Sequence, residues 1–467
     1  MERVMLVNAF EQDMALAAQI AAKVKQKGGR VMMVGGAVRD SLLGIQSKDI
    51  DLEVYALSPE ELRGILGEFG EIVEKGVSFG VYALAHSNID IAMPRRENQR
   101  GLKHADFDVS VDPGLSFRQA SMRRDFTINA MMRDVLTGEL VDLWGGVEDL
   151  RAGIIRRVNA ETFREDALRV FRAAQFAARL KARIEPQTLS LCREMDVTHL
   201  SVERVFEELS KALLKSENPS VFFRALLDMD HLVEYFPELQ ACRGVEQNPL
   251  HHPEGDVFEH TMRVVDQAAG LRETAVWPLG FMLSALFHDL GKTVTTRSLP
   301  DGRIVSYRHE IEGLGLCDRQ MRRLTNQTRL IEYVKNMMWL HMRPNVLAAS
   351  RSRKKKTRLM FDLSLCPEDL ILLSKADVAG KGGPPGEDHD AFLRERLEDY
   401  RSVIKRPMVT GADLVKAGCT PGPLFACMLR RARELHFAGF EKDRALKQVM
   451  AEAAGGRFGE GEHNRQK

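Results

Sequence analysis

The stretch that most constrains this chain covers residues 34–53, VGGAVRDSLLGIQSKDIDLE. The pattern predicts a buried strand that ends at Gly35 and Gly36, then a helix, then a second strand that carries Asp49 and Asp51. Two carboxylates at i and i+2 on a strand point to the same face, so they can hold divalent cations together. A Gly-Gly turn has no Cβ to obstruct phosphate groups, and the following helix offers N–H groups to them.

Each half of this pattern also occurs in ordinary surface turns and solvated acidic strands. The combination is more specific, because Arg39 falls on the first turn of the predicted helix, where a guanidinium can hold phosphate oxygens bidentately. The array GG-x-VRD-x-LLG-x(4)-D-x-D resembles the nucleotidyltransferase signature of the polymerase-β superfamily, in the class of bacterial tRNA nucleotidyltransferases and poly(A) polymerases. The resemblance implies that Asp49 and Asp51 are the catalytic, metal-binding carboxylates. It also implies that Gly35, Gly36 and Arg39 bind the nucleotide.

Two regions beyond Asp51 complete this predicted head. Asp90 stands on a predicted strand and is either a third acidic residue near the metals or a surface carboxylate. Residues 94–117 lose periodicity, and the resemblance interprets them as a flexible loop of full length, needed for adding the final A.

The segment RRDFTIN, residues 123–129, predicts a helix that continues through Met132. In this position it resembles the ribose-recognition motif of the family. The resemblance implies that Arg124 contacts phosphate and that Asp125 and Asn129 bind the nucleotide, as a guanidinium and hydrogen-bonding side chains suit phosphates and hydroxyls.

In EDALRVFR, residues 165–172, Asp166, Arg169 and Arg172 recur every three residues and share roughly one helix face. Alone, this spacing fits an ordinary ion pair. The family resemblance implies instead that Asp166 and Arg169 read the edge of an incoming C or A, with Arg172 also in the nucleotide site, and disfavour G and U. Relatives often carry an arginine where this chain has Gln175, so one phosphate or primer contact is not assigned. The segment 200–214 resembles the fifth family motif and is given a structural role.

A second constellation lies in the C-terminal half. His260, the adjacent His288 and Asp289, and Asp377 fall on predicted apolar or amphipathic helices and together offer nitrogen and oxygen donors for a divalent metal. A buried aspartate must be paired or bound to metal. The order H…HD…D resembles the HD phosphohydrolase domain, which several bacterial CCA-adding enzymes carry. Two further histidines could extend the site to a second metal or bind phosphate: His309 and His341. The pair His251-His252 is interpreted as loop.

Composition excludes several classes of protein. The net charge of the 467 residues is only +1, so nucleic-acid binding must come from local patches such as the basic run 351–358. Apolar stretches are too short to span a membrane. The six cysteines form no C-x-x-C pair, which is typical of reduced thiols in the cytoplasm.

The resemblance covers nearly the whole chain and predicts an α+β protein of the class II bacterial CCA-adding type. Its expected parts are a polymerase-β-like head with a small mixed sheet (1–155), a helical neck with the base-selecting motif (156–225), an HD domain (226–405) and a helical, tRNA-binding tail with a disordered end (406–467). We expect cytoplasmic addition of CCA to tRNA from CTP and ATP with Mg²⁺. We also expect an HD site with Ni²⁺, Mn²⁺ or Co²⁺ that hydrolyses 2′,3′-cyclic phosphates or phosphate ends.

The sequence leaves several alternatives open. The chain could add only A or only CC, or be a bacterial poly(A) polymerase, although the HD motifs and near-neutral charge disfavour the polymerase. It could be a non-catalytic RNA-binding protein, which the intact pair of aspartates disfavours. The HD region could serve only as a tRNA-binding body. No protein partner is implied, and the sequence does not separate a monomer from a homodimer.

Overall fold

The computed structural model describes residues 2–47, 49–74, 81–99, 107–381, 389–456 and 458. The chain divides into two compact units, Met1–Tyr235 and Phe236–Lys467. The first combines a mixed sheet with helices, and the described part of the second is almost entirely helical, which confirms the predicted α+β class. The finer division into head, neck, HD domain and tail stays a prediction.

The first unit is organised around a mixed sheet. The strands are β1 (Arg30–Val34), β2 (Ile50–Tyr55), β3 (Ile72–Glu74), β4 (Val81–Leu84), β5 (Ile89–Ala92), β6 (Arg95–Gln99), β7 (Phe107–Val111), β8 (Met132–Asp134), β9 (Leu140–Val141), β10 (Ile154–Ile155) and β11 (Arg183–Ile184). Seven of them form the main sheet in the order β3-β4-β5-β2-β1-β8-β9, in which β2 and β5 are parallel and the other pairs antiparallel. Two two-stranded pairs, β6–β7 and β10–β11, lie outside it.

The helices of this unit are α1 (Glu2–Gln26), α2 (Gly36–Leu42), α3 (Pro59–Leu66), α4 (Phe117–Met122), α5 (Gly146–Ala152), α6 (Ala160–Arg164), α7 (Leu168–Leu180), α8 (Pro186–Glu194), α9 (Val202–Lys215), α10 (Ser220–Asp228) and α11 (Leu232–Tyr235), with a 3₁₀ turn at Thr127–Asn129. Local signals set several of their ends. A capping box between Ser58 and Glu61 starts α3, and another between Ser116 and Gln119 starts α4.

Two local predictions were wrong. The segment RRDFTIN is not a helix: Arg123 caps the C-terminus of α4, Phe126 is extended, and only a 3₁₀ turn follows before β8. Phe126 cannot continue a helix because its backbone bridges to Arg157 across the neighbouring segment. The stretch 94–117 is not wholly structureless either, because β6 and β7 pair antiparallel and α4 begins at its end. Residues 100–106 of that stretch lie outside the described residues.

The second unit consists of α12 (Pro237–Gln240), α13 (Val257–Ala269), α14 (Pro278–Phe287), α15 (Lys292–Thr295), α16 (His309–Glu312), α17 (Leu314–Leu324), α18 (Thr328–Leu340), α19 (Met342–Ala349), α20 (Lys354–Leu363), α21 (Pro367–Gly380), α22 (Asp390–Ile404), α23 (Gly411–Lys416), α24 (Pro423–Phe437) and α25 (Lys442–Ala454), with a 3₁₀ turn at Arg272–Thr274 and the hairpin β12 (Arg297–Ser298) and β13 (Ile304–Val305). Helix α13 packs on α14 and α21, and α14 packs on α18.

A separate apolar cluster joins α23, α24 and α25. The predicted disordered end, from about Gly455, falls largely outside the described residues. Among the described residues, no helix is both long and apolar enough to cross a bilayer.

Candidate functional sites

A pocket of about 460 Å³ in the first unit collects all nine residues predicted to bind the nucleotide together with Asp51, whereas Asp49 is not among its lining residues. We call it the arginine pocket, because six of its lining residues are arginines. The lining residues are Gly35, Gly36, Arg39, Asp51, Arg123, Arg124, Asp125, Asn129, Asp166, Leu168, Arg169, Arg172, Phe176 and Arg204.

The sheet register places the acidic strand beside the glycine turn. Val34 lies opposite Asp51 in the β1–β2 pair, so the chain turns at Gly35 next to this carboxylate. Gly35 has a φ of 70°, which favours glycine, and a Cβ there would lie 3.3 Å from Nη1 of Arg124 and 3.5 Å from Oδ2 of Asp51. Asp49 and Asp51 are both exposed, and Asp90 lies opposite Asp51 in the parallel β2–β5 pair.

Arg39 is a brace of the turn as well as part of the pocket wall. Its Nε and Nη2 donate to Oδ1 of Asp40 at 2.9 and 2.7 Å, and its Nη1 donates to Oδ1 of Asn129 at 2.6 Å. Only 3% of the residue is exposed, and burial lowers the pKa of its guanidinium despite the opposing effect of Asp40. The internal hydrogen bonds use several of its donors, so fewer remain for a phosphate than the sequence suggested.

Asp125 and Asn129 are tied into the same network. Asn129 Nδ2 donates to Oδ1 of Asp125 at 3.0 Å, and Arg172 Nε donates to Oδ2 of Asp125 at 2.8 Å. Burial opposes the charged form of Asp125, but Arg172 and Asn129 outweigh it and hold the pKa of Asp125 below its usual range. The two guanidiniums of Arg39 and Arg172 also lie over the ring of Phe176, at 5.0 and 5.4 Å from its centroid.

The predicted base-reading pair lies in the pocket, but its members bind other partners. Arg204 Nη2 donates to both carboxylate oxygens of Asp166, at 3.1 and 3.0 Å. Arg169 donates to the carbonyl oxygens of Thr162 and Arg123, both at 2.6 Å. The sequence assigned the segment of Arg204 a structural role and missed this contact, because a Glu-Arg pair at a helix start carries no signal of a distant partner.

Gln175 lies on α7 and is 2% exposed. It is not among the residues that line the arginine pocket. Its Nε2 has no hydrogen-bonding partner among the described residues. The position where relatives often carry an arginine is therefore part of the helix packing here.

The second unit brings six predicted residues together, which we call the His–Asp cluster: His260, His288, Asp289, His309, His341 and Asp377. His260 Nε2 lies 3.2 Å from Oδ1 of Asp377, and His288 Nε2 lies 3.2 Å from Oδ2 of Asp289. The other oxygen, Oδ1 of Asp289, lies 3.2 Å from His309 Nε2 and 3.6 Å from His341 Nε2. Asp289 therefore stands between two pairs of imidazoles. Each member is at most 5% exposed.

The chain brings His309 to Asp289 by a close backbone contact. A Cβ on Gly291 would overlap the carbonyl oxygen of His309, and Gly313 approaches Gly291 as well. Only glycine permits this approach, which explains the Gly after His288-Asp289-Leu290 in the sequence.

Each histidine of the cluster is oriented through its Nδ1, which faces an oxygen that can only accept a hydrogen bond. The acceptors are Oε1 of Glu254 for His260 at 2.7 Å, and the carbonyl oxygens of Ala285 for His288 at 2.9 Å, Ser306 for His309 at 2.8 Å and Met338 for His341 at 2.6 Å. In a neutral imidazole the proton is then on Nδ1 and the Nε2 lone pair points into the cluster.

The donor set fits divalent metal ions. Nε2 atoms face one another at 3.4 Å (His260 and His288) and at 3.3 Å (His309 and His341), although neutral rings in this tautomer carry no proton there. Asp289 Oδ1 is buried and has no hydrogen bond of acceptable geometry within the described part of the chain. Burial opposes ionisation of Asp289, but nearby positive charge and hydrogen bonds hold its pKa well below the usual range, with Nζ of Lys292 at 2.7 Å from Oδ2. Hydrogen bonds at Nδ1 orient the rings so that the Nε2 atoms and the carboxylates face one another, which is the arrangement seen around bound metal ions.

The sequence missed two residues beside this cluster. Glu254 Oε1 accepts from Nδ1 of His260 and also from Nδ1 of His252 at 2.8 Å, so the histidine interpreted as loop is linked to the cluster. The sequence feature that could have indicated this link is the spacing His252-x-Glu254-x(5)-His260. A pocket of about 460 Å³ over the cluster is lined by His252 and by the cations Lys292, Arg303 and Lys381 among others.

The basic run 351–358 divides into two groups. Lys354 and Arg358 pair with Asp399 at 2.8 and 2.6 Å, so they stabilise the packing of α20 on α22. Arg353 and Lys356 are exposed.

Two family models match this chain. The poly A polymerase head domain matches residues 31–156, which include the glycine turn, Asp49, Asp51 and RRDFTIN. The probable RNA- and SrmB-binding site of polymerase A matches residues 183–242.

Curated relatives extend the match over most of the chain. The Multifunctional CCA protein of Methylococcus capsulatus is 37% identical over 423 residues, which cover 86% of this chain and 93% of the relative. That of Pseudomonas aeruginosa PAO1 is 33% identical over 441 residues, which cover 89% and 99%. The chain belongs to the multifunctional CCA protein family.

Solved structures agree with this family in fold. The CCA-adding enzyme of Bacillus stearothermophilus in complex with CTP has a TM-score of 0.68 at 22% identity and covers 95% of this chain and 98% of its own. The CCA-adding enzyme of Thermotoga maritima complexed with tRNA_CCA has a TM-score of 0.60 at 21% identity, with coverage of 94% and 95%. The resemblance to CCA-adding enzymes, which the sequence analysis based on the glycine turn and the paired aspartates, is confirmed.

Proposed function

We propose that the chain adds CCA to the 3′ end of tRNA from CTP and ATP. The observation that carries this proposal is the arginine pocket, where Asp51 lies beside the Gly35 turn among six arginines. The names of the relatives support it, as do solved structures described with ATP, CTP and tRNA_CCA.

Asp49 and Asp51 would hold Mg²⁺, since both are exposed hard oxygen donors, Asp51 on β2 and Asp49 immediately before that strand. Mg²⁺ held there would supply charge neutralisation of the triphosphate and a lower pKa for the primer hydroxyl, whose attack on the α-phosphate would release pyrophosphate. Arg124, next to the Gly35 turn, would hold phosphate oxygens, and the absent Cβ of Gly35 would leave them room. Arg39 would fix the turn through Asp40 and Asn129.

Base choice would rest on Asp166 with two arginines. A carboxylate accepts from the exocyclic amine of C or A, and guanidinium N–H groups donate to ring nitrogen or carbonyl oxygen. Arg204 would orient Asp166 for this role, while Arg169 would have to exchange a carbonyl partner for the base.

The test uses three tRNA transcripts that end before CCA, after C and after CC. Each is incubated with Mg²⁺ and CTP, ATP or both, and the 3′ ends are sequenced. We expect ordered growth to CCA on all three, followed by a stop. Growth only on the CC-ending transcript would indicate an A-adding enzyme, arrest after CC a CC-adding enzyme, and unlimited A tails a poly(A) polymerase. No growth by a folded protein would contradict the proposal.

We propose a second activity for the His–Asp cluster: metal-dependent hydrolysis of 2′,3′-cyclic phosphates or phosphate ends. The observation that favours it is the convergence of four Nε2 atoms on Asp289 and Asp377 beneath a pocket lined by Lys292, Arg303 and Lys381. A transition metal such as Ni²⁺, Mn²⁺ or Co²⁺ suits mixed imidazole and carboxylate ligands and would supply an activated water when bound. The cationic side chains would bind the phosphate.

The second activity is tested with 2′,3′-cyclic AMP and 2′-AMP after metal stripping and reconstitution with each of the three metals. We expect hydrolysis only in reconstituted protein, and none in a His288→Ala variant that keeps CCA addition. Metal-loaded protein that hydrolyses neither compound would favour the alternative in which this region serves as a tRNA-binding body.

A further inference from the structure

Strand β2 carries a second acidic residue, two positions after the proposed metal ligand Asp51. Asp51 and Glu53 alternate within β2, so their side chains project to one side of the sheet, and Asp49 immediately precedes the strand. Asp49 and Asp51 are exposed, but Glu53 is only 1% exposed. A carboxylate buried to this degree needs compensating partners, because desolvation disfavours its charge.

The partners of Glu53 are two arginines of the pocket and a tyrosine. Arg123 Nη2 donates to Oε1 of Glu53 at 3.3 Å, and Arg124 Nη2 lies 4.0 Å from Oε2. The hydroxyl of Tyr55 donates to Oε2 at 2.6 Å. Burial and the charge of Glu53 raise the pKa of Tyr55 above its ordinary value, so the hydroxyl stays protonated as a donor. Tyr55 is itself held edge-on against Phe117, with ring centroids 4.7 Å apart.

Arg124 connects this buried carboxylate to the glycine turn. Its Nη2 faces Glu53, whereas its Nη1 lies 3.3 Å from the position of a Cβ on Gly35. The guanidinium therefore spans from the buried acid to the place where phosphates would approach. Arg123 and Arg124 are adjacent in sequence and both line the pocket, so their positive charges repel each other unless an anion lies between them.

We propose that Glu53 is a positioning residue for the triphosphate: its buried charge holds Arg123 and Arg124 at the Gly35 turn. This inference rests on the proposed nucleotidyl transfer and deepens it, since it assigns the affinity for the triphosphate to a residue that does not touch the nucleotide. A role as a third metal ligand is disfavoured, because Tyr55 and the arginines enclose the carboxylate and leave it almost no exposed surface.

The test compares wild type with Glu53→Gln, which keeps the shape of the side chain and an acceptor for Tyr55 but removes the charge. Binding of CTP, CDP and CMP is measured by calorimetry without tRNA and with Mg²⁺. We expect the affinity for CTP to fall roughly 10-fold or more, since a charge-assisted contact is lost on each arginine, and the affinity for CMP to stay within about 2-fold. In steady state, KM for CTP should rise while kcat changes little.

Two further variants separate charge from structure. Glu53→Asp keeps the charge and should restore part of the CTP affinity, and Tyr55→Phe keeps the charge but removes one hydrogen bond and should affect CTP binding less than Glu53→Gln. Equal CTP and CMP losses in Glu53→Gln, or identical behaviour of the Asp and Gln variants, would overturn the positioning role. Should Glu53→Gln fail to fold, the comparison of Glu53→Asp with wild type decides: a selective CTP loss supports the role, and an equal loss of CTP and CMP overturns it. If wild type itself binds neither CTP nor ATP, the failure lies with the proposed function.

Discussion

The arginine pocket and the His–Asp cluster both combine carboxylates with nitrogen groups, but they differ in burial and in the type of nitrogen. In the arginine pocket most of the nitrogens belong to guanidiniums, which only donate; the proposed metal ligand Asp51 in its wall is exposed, and so is Asp49, two residues earlier in the chain. In the His–Asp cluster the nitrogens are imidazole Nε2 atoms that point inward, and every member is buried.

This difference indicates that the two sites bind metal in different ways. Permanent arginine charges and exposed oxygens favour an anion that arrives together with a hard cation, such as a nucleotide with Mg²⁺. Buried imidazole nitrogens and two carboxylates that face one another favour a cation that stays, because both kinds of group are ligands for a divalent metal. We therefore expect the first site to exchange its metal with substrate and the second to retain metal through purification.

The largest effect is expected for Asp51→Asn. Losing a metal-holding carboxylate should remove several kcal/mol of transition-state stabilisation and slow nucleotide addition by roughly 10³-fold or more. Hydrolysis of 2′,3′-cyclic AMP and the metal content of the purified protein should not change. Primer extension gives the rate, and Asp196→Asn is the matched control, since Asp196 is an exposed acid whose contacts with Thr198 and His199 lie in its own turn.

The same assay distinguishes the two interpretations of Asp90, which lies opposite Asp51 in the register. A loss in Asp90→Asn comparable to that of Asp51→Asn would make Asp90 a third metal ligand. Activity near wild type would make it a surface carboxylate. Asp51→Asn that also silenced the phosphohydrolase in a folded protein would contradict the separation of the two sites.

The second prediction concerns the position of Asp289 between two imidazole pairs. We expect Asp289 to serve two metal sites, one with His260, His288 and Asp377 and one with His309 and His341. Asp289→Asn should then lose both sites and hydrolysis, whereas His309→Ala should lose only the second site. Metal per chain, measured by mass spectrometry after gel filtration, checks this. Equal metal content in the two variants would show that Asp289 does not serve both metal sites. CCA addition should persist in both.

The sequence predicted the parts of each site that follow from local spacing. The strand, turn and strand that carry Gly35, Asp49 and Asp51 form a local pattern, and so does the i,i+3 face of α7 that carries Asp166 and Arg169. The order of His260, His288, Asp289 and Asp377 in the sequence was also sufficient to predict that these residues form one cluster, because each falls on or next to an apolar or amphipathic helix.

What could not be predicted depends on tertiary contacts. Arg204 reaches Asp166 across 38 positions of the chain, and no local pattern encodes that approach. RRDFTIN has the composition of a helix start, but its backbone pairs with Arg157 and cannot continue as one. Glu53 resembles any strand residue until its burial under Arg123 and Arg124 is known.

The third prediction sharpens the retained-metal side of the comparison. Glu254 accepts from the Nδ1 of His260 and fixes the ring so that Nε2 points into the cluster. Glu254→Gln should therefore weaken metal binding by roughly 10–100-fold, the usual effect of losing an outer-shell partner, without altering CCA addition. Competition with a chromophoric chelator gives the affinity, and Glu310→Gln, a partly exposed acid near His309, is the control. Unchanged metal affinity would show that His260 is oriented by its helix alone.

The smallest effect is expected at the base-reading end of the arginine pocket. Arg204→Met removes the guanidinium that contacts both oxygens of Asp166 while keeping a side chain of similar length. Asp166 should then sample more orientations, so discrimination of CTP and ATP against UTP and GTP should fall by about 10-fold, with thermal stability little changed. Single-turnover incorporation of each nucleotide measures this ratio. Arg164→Met, which breaks an exposed pair with Glu194, should leave it unaltered. If Arg204→Met slows all four nucleotides equally, Arg204 supports the pocket without orienting Asp166, and base choice must then depend on Arg169.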